Sequence, residues 1–339
     1  VLRGGEKALE IILDFIDEFQ DSWVSEEDEA YKYAVSRQRK FYKGMHKTAL
    51  IWHYGIRRIP GLNRLVCGLC GKKFPKEAFK NGPWFFPYKQ KLIERVNKMK
   101  GHRRDYEWLF NRLEDDKSRE VMMNAMMIDI TCECKYAVEI NDIKKCPQYF
   151  DPSIVKVGKD EVFVDMGAFI GDTELIYIDF IRSNGGSIKA IYGYEPDKNI
   201  YAKAVENMKP YDFAHIKNVG VGSKSEEVCF ETQIGGRSTV VTSKDGSNVE
   251  TARLVAIDED IKEKVTFIKM DLEGYEAEAL KGSKNHIIND TPQLAVCVYH
   301  KIEDLYALPQ LIESYNTNYK MYMRHYDDQQ AETVLYCIP

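Results

Sequence analysis

Apolar positions in residues 6–20 recur with a helical period. Leu9, Ile12, Leu13, Ile16 and Phe19 share one face, and Glu10, Asp14, Asp17 and Glu18 lie opposite. An acidic polar face suits packing on protein rather than on a membrane surface. Further on, Ile59-Pro60-Gly61, the Gly68–Gly71 stretch and Asn81-Gly82-Pro83 break any period, so residues 60–88 are expected to form loops and short helices. Three helices are predicted next, over Pro87–Lys100, Asp105–Leu113 and Ser118–Ile130, the last with Ser118 as N-cap. Near Asp151 the texture changes. Short β-rich apolar runs now alternate with amphipathic ones: Val162–Met166, a helix to Ser183, Ser187–Tyr194, a helix Lys198–Met208, Ile216–Val219, Val265–Met270, a helix after Gly274, Gln293–Tyr299 and a helix ending near Ser314. Such alternation predicts an α/β fold with a mostly parallel sheet covered on both faces. Between the last two runs, Lys320–His325 and Thr333–Ile338, stands only the polar turn Asp327–Gln330. They should pair as an antiparallel hairpin at the sheet's end.

Composition narrows this picture. The chain has 339 residues, 44% of them hydrophobic and 30% charged, which excludes collagen-like, disordered and disulfide-scaffold classes. No apolar run reaches the roughly 18–20 residues of a spanning helix. The length suggests two domains, which the pattern divides into a helical, basic region 1–149 and an α/β domain 150–339. The net charge of −5 hides an asymmetry: residues 30–104 sum to +18, residues 1–29 to −8 and residues 150–339 to −11. The basic stretch also carries Trp52, Trp84, Phe85 and Phe86, a composition that suits an anionic partner: a phosphate-bearing acceptor, a membrane surface touched peripherally, or nucleic acid. Equally, it could pack on the acidic half of its own chain or of a dimer mate. The eight cysteines are scattered, pointing to reduced thiols and a cytoplasmic location. Cys67 and Cys70 have half a zinc-ribbon spacing, but their one partner pair, Cys132 and Cys134, is distant and spaced C-x-C, so ordinary thiols are the expectation.

In a parallel sheet of this kind, ligands lie beyond the carboxyl ends of the strands. The first strand runs into Asp165-Met166-Gly167-Ala168-Phe169-Ile170-Gly171-Asp172-Thr173. Gly167 and Gly171 permit a tight turn and close ligand approach, and Asp165 could hold a cationic amino group. The spacing is not G-x-G-x-x-G, which disfavours a dinucleotide. The second strand ends at Glu195-Pro196, where an acidic residue accepts from ribose hydroxyls in nucleoside-binding folds; Pro196 fixes the backbone and opens the next helix. Asn218 and Val219 could meet the edge and face of an adenine. At the fourth strand, Lys269, Asp271 and Glu273 are expected on one face with Glu276 in the following helical turn, and Lys269 either serves the chemistry or pairs a neighbouring carboxylate. His300 ends the fifth strand and is a candidate general base. No spacing demands a metal at Asp271, Glu273 and His300, so none is expected. Arg237, in the loop Gly235–Ser238, either holds an anionic group or is solvated.

The segments VFVDMGAFIGDT (162–173), YGYEPD (192–197), NVGVG (218–222), FIKMDLEGYEAEALKG (267–282), VYHKIEDL (298–305) and ETVLYCIP (332–339) resemble the FkbM-type methyltransferases, with weaker echoes in residues 105–122 and in QYFDPSIV (148–155). The resemblance implies a Rossmann-like, seven-stranded class I methyltransferase sheet behind a mostly helical N-terminal region, S-adenosylmethionine as cofactor, and O-methylation of a sugar, glycan precursor or natural product. It implies cofactor contacts from Asp165, Gly167, Ala168, Gly171, Asp172, Thr173, Glu195, Asn218 and Val219, and places Lys269, Asp271, Glu273 and His300 beside the methyl donor. Nothing carries over to residues 1–104. The alternatives are an RNA methyltransferase using the basic segment 30–104 and a non-catalytic cofactor-fold scaffold. The absence of an Asn/Asp-Pro-Pro-Tyr/Phe signature after the fourth strand argues against methylation of base amines.

Overall fold

The computed structural model describes residues 5–20, 89–131, 135–143, 145–232, 238–241 and 249–339. The basic aromatic stretch up to residue 88, the Cys67/Cys70 pair, Cys132, Cys134 and Arg237 lie outside the described residues. The chain divides into two compact units, one of residues 1–103, 123–139 and 328–330, the other of residues 104–122, 140–327 and 331–339. No helix among the described residues is long and apolar enough to cross a membrane.

The first unit contains α1 (Gly5–Glu18) and α2 (Lys89–Met99). The predicted stripe of α1, from Leu9 to Ile16, is buried. Arg103 ties to this helix by donating to the carboxylates of Asp14 and Asp17. Helix α3 (Arg103–Arg112) follows, and α4 (Asp116–Thr131) contributes its first turns to the second unit and the remainder to the first. The cap of α4 differs from expectation. Asp115 Oδ1 accepts from Ser118 N at 2.7 Å, whereas the Ser118 hydroxyl is buried and accepts from Met323 N at 2.8 Å. An acidic cap suits the positive end of the helix dipole, and that leaves the serine for tertiary contact. A short α5 (Lys135–Ile140) completes the lead-in.

The second unit is built on β1 (Glu161–Met166), α6 (Asp172–Ser183), β2 (Ile188–Tyr194), α7 (Lys198–Met208), β3 (Ala214–Lys217), β4 (Gly220–Val221), β5 (Glu226–Thr232), β6 (Ser238–Val241), β7 (Val249–Val255), α8 (Ile257–Asp260), β8 (Phe267–Met270), α9 (Glu276–Gly282), α10 (Lys284–Asn289), β9 (Gln293–Cys297), α11 (Asp304–Tyr315), β10 (Lys320–His325) and β11 (Thr333–Ile338). Seven strands form one sheet in the order β10-β11-β9-β8-β1-β2-β3. The five from β9 to β3 are parallel, while β11 runs antiparallel to both β9 and β10. Strands β1, β8 and β9 are buried along their whole length, which explains why they read as continuous apolar runs rather than alternating ones. Phe150, Phe163, Tyr177 and Phe267 interlock on one face of this sheet, with Phe163 stacked on Tyr177 at 4.2 Å between centroids.

Two departures from the sequence reading stand out. The third strand ends at Lys217 rather than Val219, so Asn218 and Val219 form its exit turn. The stretch that follows builds a second, four-stranded sheet, β4-β7-β5-β6, for which no element was expected between Val219 and Val265. Its strands alternate in a polar sequence and carry little of the continuous apolar signal that marks a buried strand.

Arg324 on β10 is 4% exposed and joins the lead-in to the sheet. Its guanidinium donates to Asp115 Oδ2 at 2.8 Å, to Asp151 Oδ2 at 3.2 Å and to the Ser118 hydroxyl at 3.0 Å. Removing one partner of a buried ion pair strands the others without water. Arg324→Met is therefore expected to lower unfolding free energy by about 3–5 kcal/mol in urea titrations; a loss below about 1 kcal/mol would show the cluster to be solvated.

Candidate active site

The loops at the carboxyl edge of the parallel strands are stitched together by backbone hydrogen bonds. Gly167 N and Ala168 N both donate to Tyr194 O, Asp271 N donates to Met166 O, and Glu195 N donates to Lys217 O, each at 3.0–3.1 Å. The sequence-predicted positions on β1, β2, β3 and β8 therefore meet on one rim. Gly167 has φ +93°, and a Cβ there would stand 2.1 Å from Asp271 O. Only glycine lets the first loop pass so close to the fourth. Gly171 caps α6 in a left-handed conformation, and Asp172 and Thr173 open that helix.

Asp165 and Lys269 are register partners on adjacent strands, and both are buried. Lys269 Nζ lies 2.9 Å from Asp165 Oδ1 and donates to Gly167 O at 2.7 Å, beneath the ring of Tyr149. Burial alone would lower the lysine, but the carboxylates of Asp165 and Asp271 prevail and raise it. Burial pushes Asp165 up to about 6 against the pull of Lys269. Of the two roles open to Lys269, pairing is the one seen: the ammonium holds the loop. Behind the pair sits Glu174, fully buried, its carboxyl driven well above its usual range by burial and then by Asp165. Gly193 makes room for it, since a Cβ there would stand 2.6 Å from Glu174 Oε1.

On the second strand, Glu195 is buried and its Oε1 accepts from Asp197 N at 2.8 Å. Burial pushes this carboxyl up to about 7. Asp197, not Pro196, starts the next helix, accepting from Asn199 N and Ile200 N as N-cap. Pro196 instead fixes the turn one residue earlier. Asn218 Nδ2 donates to Glu195 O and Pro196 O at 2.9 and 3.0 Å, holding that turn from the next strand, and Val219 beside it is half-buried.

Strand β8 ends at Met270, so Lys269, Asp271 and Glu273 do not share a strand face. Lys269 turns to Asp165, while Asp271 and Glu273 turn to His300. Tyr149 OH donates to Asp271 Oδ2 at 2.9 Å, and Tyr299 OH reaches Oδ1 at 3.4 Å. His300 Nε2 lies 3.4 Å from Asp271 Oδ1 and 3.7 Å from Glu273 Oε2, and its Nδ1 lies 2.8 Å from Glu276 Oε1. Glu276 is buried in the first turn of α9, and the same oxygen accepts from Leu272 N at 2.8 Å. Burial would lower the imidazole, but Glu276, then Asp271 and Glu273, outweigh it and hold His300 above its ordinary value. Among the described residues, ligand-type atoms fall within 4.8 Å of one another in two groups, Asp271/Cys297/Glu332 and Asp271/Glu276/His300.

Tyr149, Tyr299 and Glu332 were not read from sequence as site residues, and Glu276 was read only as part of the ionisable cluster after the fourth strand, in the turn where the structure places it. A faint signal existed: each lies in a segment that carried the family resemblance. A second signal is conformational. Tyr149, Glu273 and Glu332, all bordering Asp271, have φ of +70°, +50° and +69°. Left-handed backbone at side-chain-bearing residues costs energy and gathers at functional sites. Gly167→Ala should cost about 2 kcal/mol or more of stability, from the left-handed strain and the clash with Asp271 O; a urea midpoint equal to wild type would show that this close approach does not hold the rim.

Residues 165–328 match the family described as the methyltransferase FkbM domain. The chain is similar to the crystal structure of methyltransferase FkbM from Methylobacillus flagellatus KT, with 23% identity and TM-score 0.61 over 83% of this chain and 72% of that one. Weaker likenesses are to Aeropyrum pernix fibrillarin in complex with natively bound S-adenosyl-L-methionine (12% identity, TM-score 0.35, 54% of this chain and 69% of that one) and to SMU.1697c, a putative methyltransferase from Streptococcus mutans in complex with SAH (12% identity, TM-score 0.32, 53% and 90%). No curated protein matches the sequence. Residues 165–328 thus carry the match to the methyltransferase FkbM domain, and the mostly parallel seven-stranded sheet has the fold of the class I methyltransferases.

Proposed function

We propose that the protein transfers a methyl group from S-adenosylmethionine to a hydroxyl oxygen of a sugar, glycan precursor or small natural-product metabolite. The observation that supports this reading is the position of Asp271, one residue beyond β8, held by Tyr149 and facing His300 on the rim it shares with the Gly167 loop. The residues fit the cofactor. Burial pushes the Glu195 carboxyl up to about 7 although the Asp197 and Phe169 amides donate to it, and the two hydroxyls of a ribose would add donors that favour its ionised form. The loop from Gly167 to Thr173 would take the methionine end, and Asn218 Oδ1 with Val219 the adenine. When bound, the cofactor supplies a methyl group on a cationic sulfur, so a hydroxyl acceptor has to give up its proton. Asp271 is placed to receive that proton, and His300 to stabilise the charge around it. The Glu276 carboxylate lies 2.8 Å from Nδ1, on the side of the ring opposite Asp271 and Glu273, and so favours a charged imidazole there.

We read this cluster as handling protons rather than a metal. The Cys297 thiol is buried and pushed well above its usual range, and Glu276 Oε1 is committed to the Leu272 amide and to His300. The +18 segment would contact an anionic part of the acceptor, or an anionic membrane surface. It also favours a second reading, RNA as the acceptor, which steep salt dependence of RNA binding would support.

Three outcomes test the reading. S-adenosylhomocysteine at about 100 times its Kd should stabilise the protein by about 2.7 kcal/mol in a thermal shift assay; no shift at millimolar ligand would sink the cofactor assignment. Asp271→Asn should cut turnover of methyl glycosides, followed by S-adenosylhomocysteine release, by about 10²–10⁴-fold with cofactor Kd unchanged; near-normal turnover would remove Asp271 from the chemistry. The Glu195 carboxyl must be ionised to accept from ribose, and its raised pKa means that it gains a proton as pH falls through about 7. Cofactor affinity by calorimetry should therefore weaken about tenfold from pH 8 to pH 6, and Glu195→Gln should abolish that dependence. An unchanged slope in the variant would assign the titration elsewhere.

A further inference from the structure

We infer that Glu332 is the second member of a proton relay, taking from Asp271 the proton that the acceptor hydroxyl gives up; this rests on the reading of Asp271 as proton acceptor. One carboxylate oxygen of each residue lies within 4.8 Å of the other and of Cys297 Sγ. The two come from separate parts of the chain, the exit of β8 and the residue just before β11, so their approach is not a consequence of sequence proximity. Glu332 is also held in a costly conformation, with φ +69°. Two contacts keep it there: Tyr326 N donates to its carbonyl at 3.0 Å, and Gln148 Nε2 donates to its Oε2.

The surroundings set the direction of transfer. Asp271 accepts from Tyr149, has Tyr299 and His300 within 3.4 Å, and lies near Glu273 and the paired Lys269. The groups acting on Glu332 are Asp271 first, then Gln148, Asp327 and His300. Burial, then the Asp271 carboxylate, pushes Glu332 up to about 7. Asp271 is bordered by Glu273 and His300, and Glu332, like Asp271, is half-buried, so its accessible part gives the proton a path outward. In the relay the acceptor O–H bond breaks as an Oδ–H bond forms on Asp271. A water between the two carboxyls then takes that proton from Asp271 and gives one of its own to a Glu332 oxygen, restoring the Asp271 carboxylate, and Glu332 releases its proton to solvent. Glu332 must be ionised to receive it, so the relay operates above about pH 7 and closes as pH falls through that value.

Two measurements decide the matter. In cofactor-free protein with ¹³C-labelled glutamate carboxyls, the resonance that Glu332→Gln deletes should titrate near pH 7, and Asp271→Asn should move its midpoint down by about one unit, because a neighbouring negative charge is removed. A Glu332 midpoint in the ordinary glutamate range, or one that Asp271→Asn leaves in place, overturns the pairing whether or not any acceptor is turned over. With saturating S-adenosylmethionine and the best methyl glycoside, Glu332→Gln should lower kcat at pH 8 about tenfold or more and abolish the fall in kcat below pH 7, while leaving cofactor Kd unchanged. Glu332→Asp should restore part of the rate together with the limb. Wild-type kcat and pH profile in Glu332→Gln overturn the relay. Failure of the wild type to methylate any glycoside counts against the acceptor class alone, since the carboxyl titration still reads the pair.

Discussion

Within the sheet, the constraint on which the site depends is the buried pair between Asp165 on β1 and Lys269 on β8. Taking two charges out of water is costly, and the cost is tolerated only when geometry and neighbouring polar groups satisfy both. Here the strands are in register at these two residues, and the remaining capacity of the ammonium goes to Gly167 O. The pair thus fixes three things at once: the alignment of β1 with β8, the path of the Gly167 loop, and the point where Asp271 leaves the strand. Burial, then the neighbouring Asp165 carboxylate, drives the Glu174 carboxyl beside the pair well above its usual range, which disfavours a third charge there.

Around Asp271 the protein has gathered an excess of acid. Glu273, Glu276 and Glu332 border it, with His300 the imidazole among them, and Lys269 spent on Asp165. A cluster of like charges persists only when the backbone holds it, and the left-handed residues Tyr149, Glu273 and Glu332 mark where that hold is applied. Such a site suits an acceptor that enters neutral and loses a proton.

The sequence carried more of the fold than of the site. Strands β1, β2, β8 and β9 and the β10–β11 hairpin were legible because buried strands are uniformly apolar and the turn between the last two is uniformly polar. The helices on either side showed an amphipathic period. The second sheet was not legible, because its strands mix polar and apolar residues without a continuous apolar run and resemble loop in sequence. Helix boundaries held to within a few residues, except where a side chain competed: Asp115 took the cap that Ser118 was expected to supply.

Asp165, Glu195, Asp271 and His300 could be named from sequence because each closes a β-rich run, and a residue at the end of a parallel strand has few other places to be. What they do to one another could not be read that way. That Lys269 belongs to Asp165, that Glu276 lies against His300, and that Tyr149 and Glu332 flank Asp271 are pairings between separate elements, two of them across more than 100 residues, and a one-dimensional pattern contains no term for them. The sequence by itself determined which residues reach the rim, since burial periodicity is local. The tertiary structure alone decided which charges pair and which carboxyls are gathered around Asp271, because those depend on distances of a few ångströms between strands that only the folded sheet brings together.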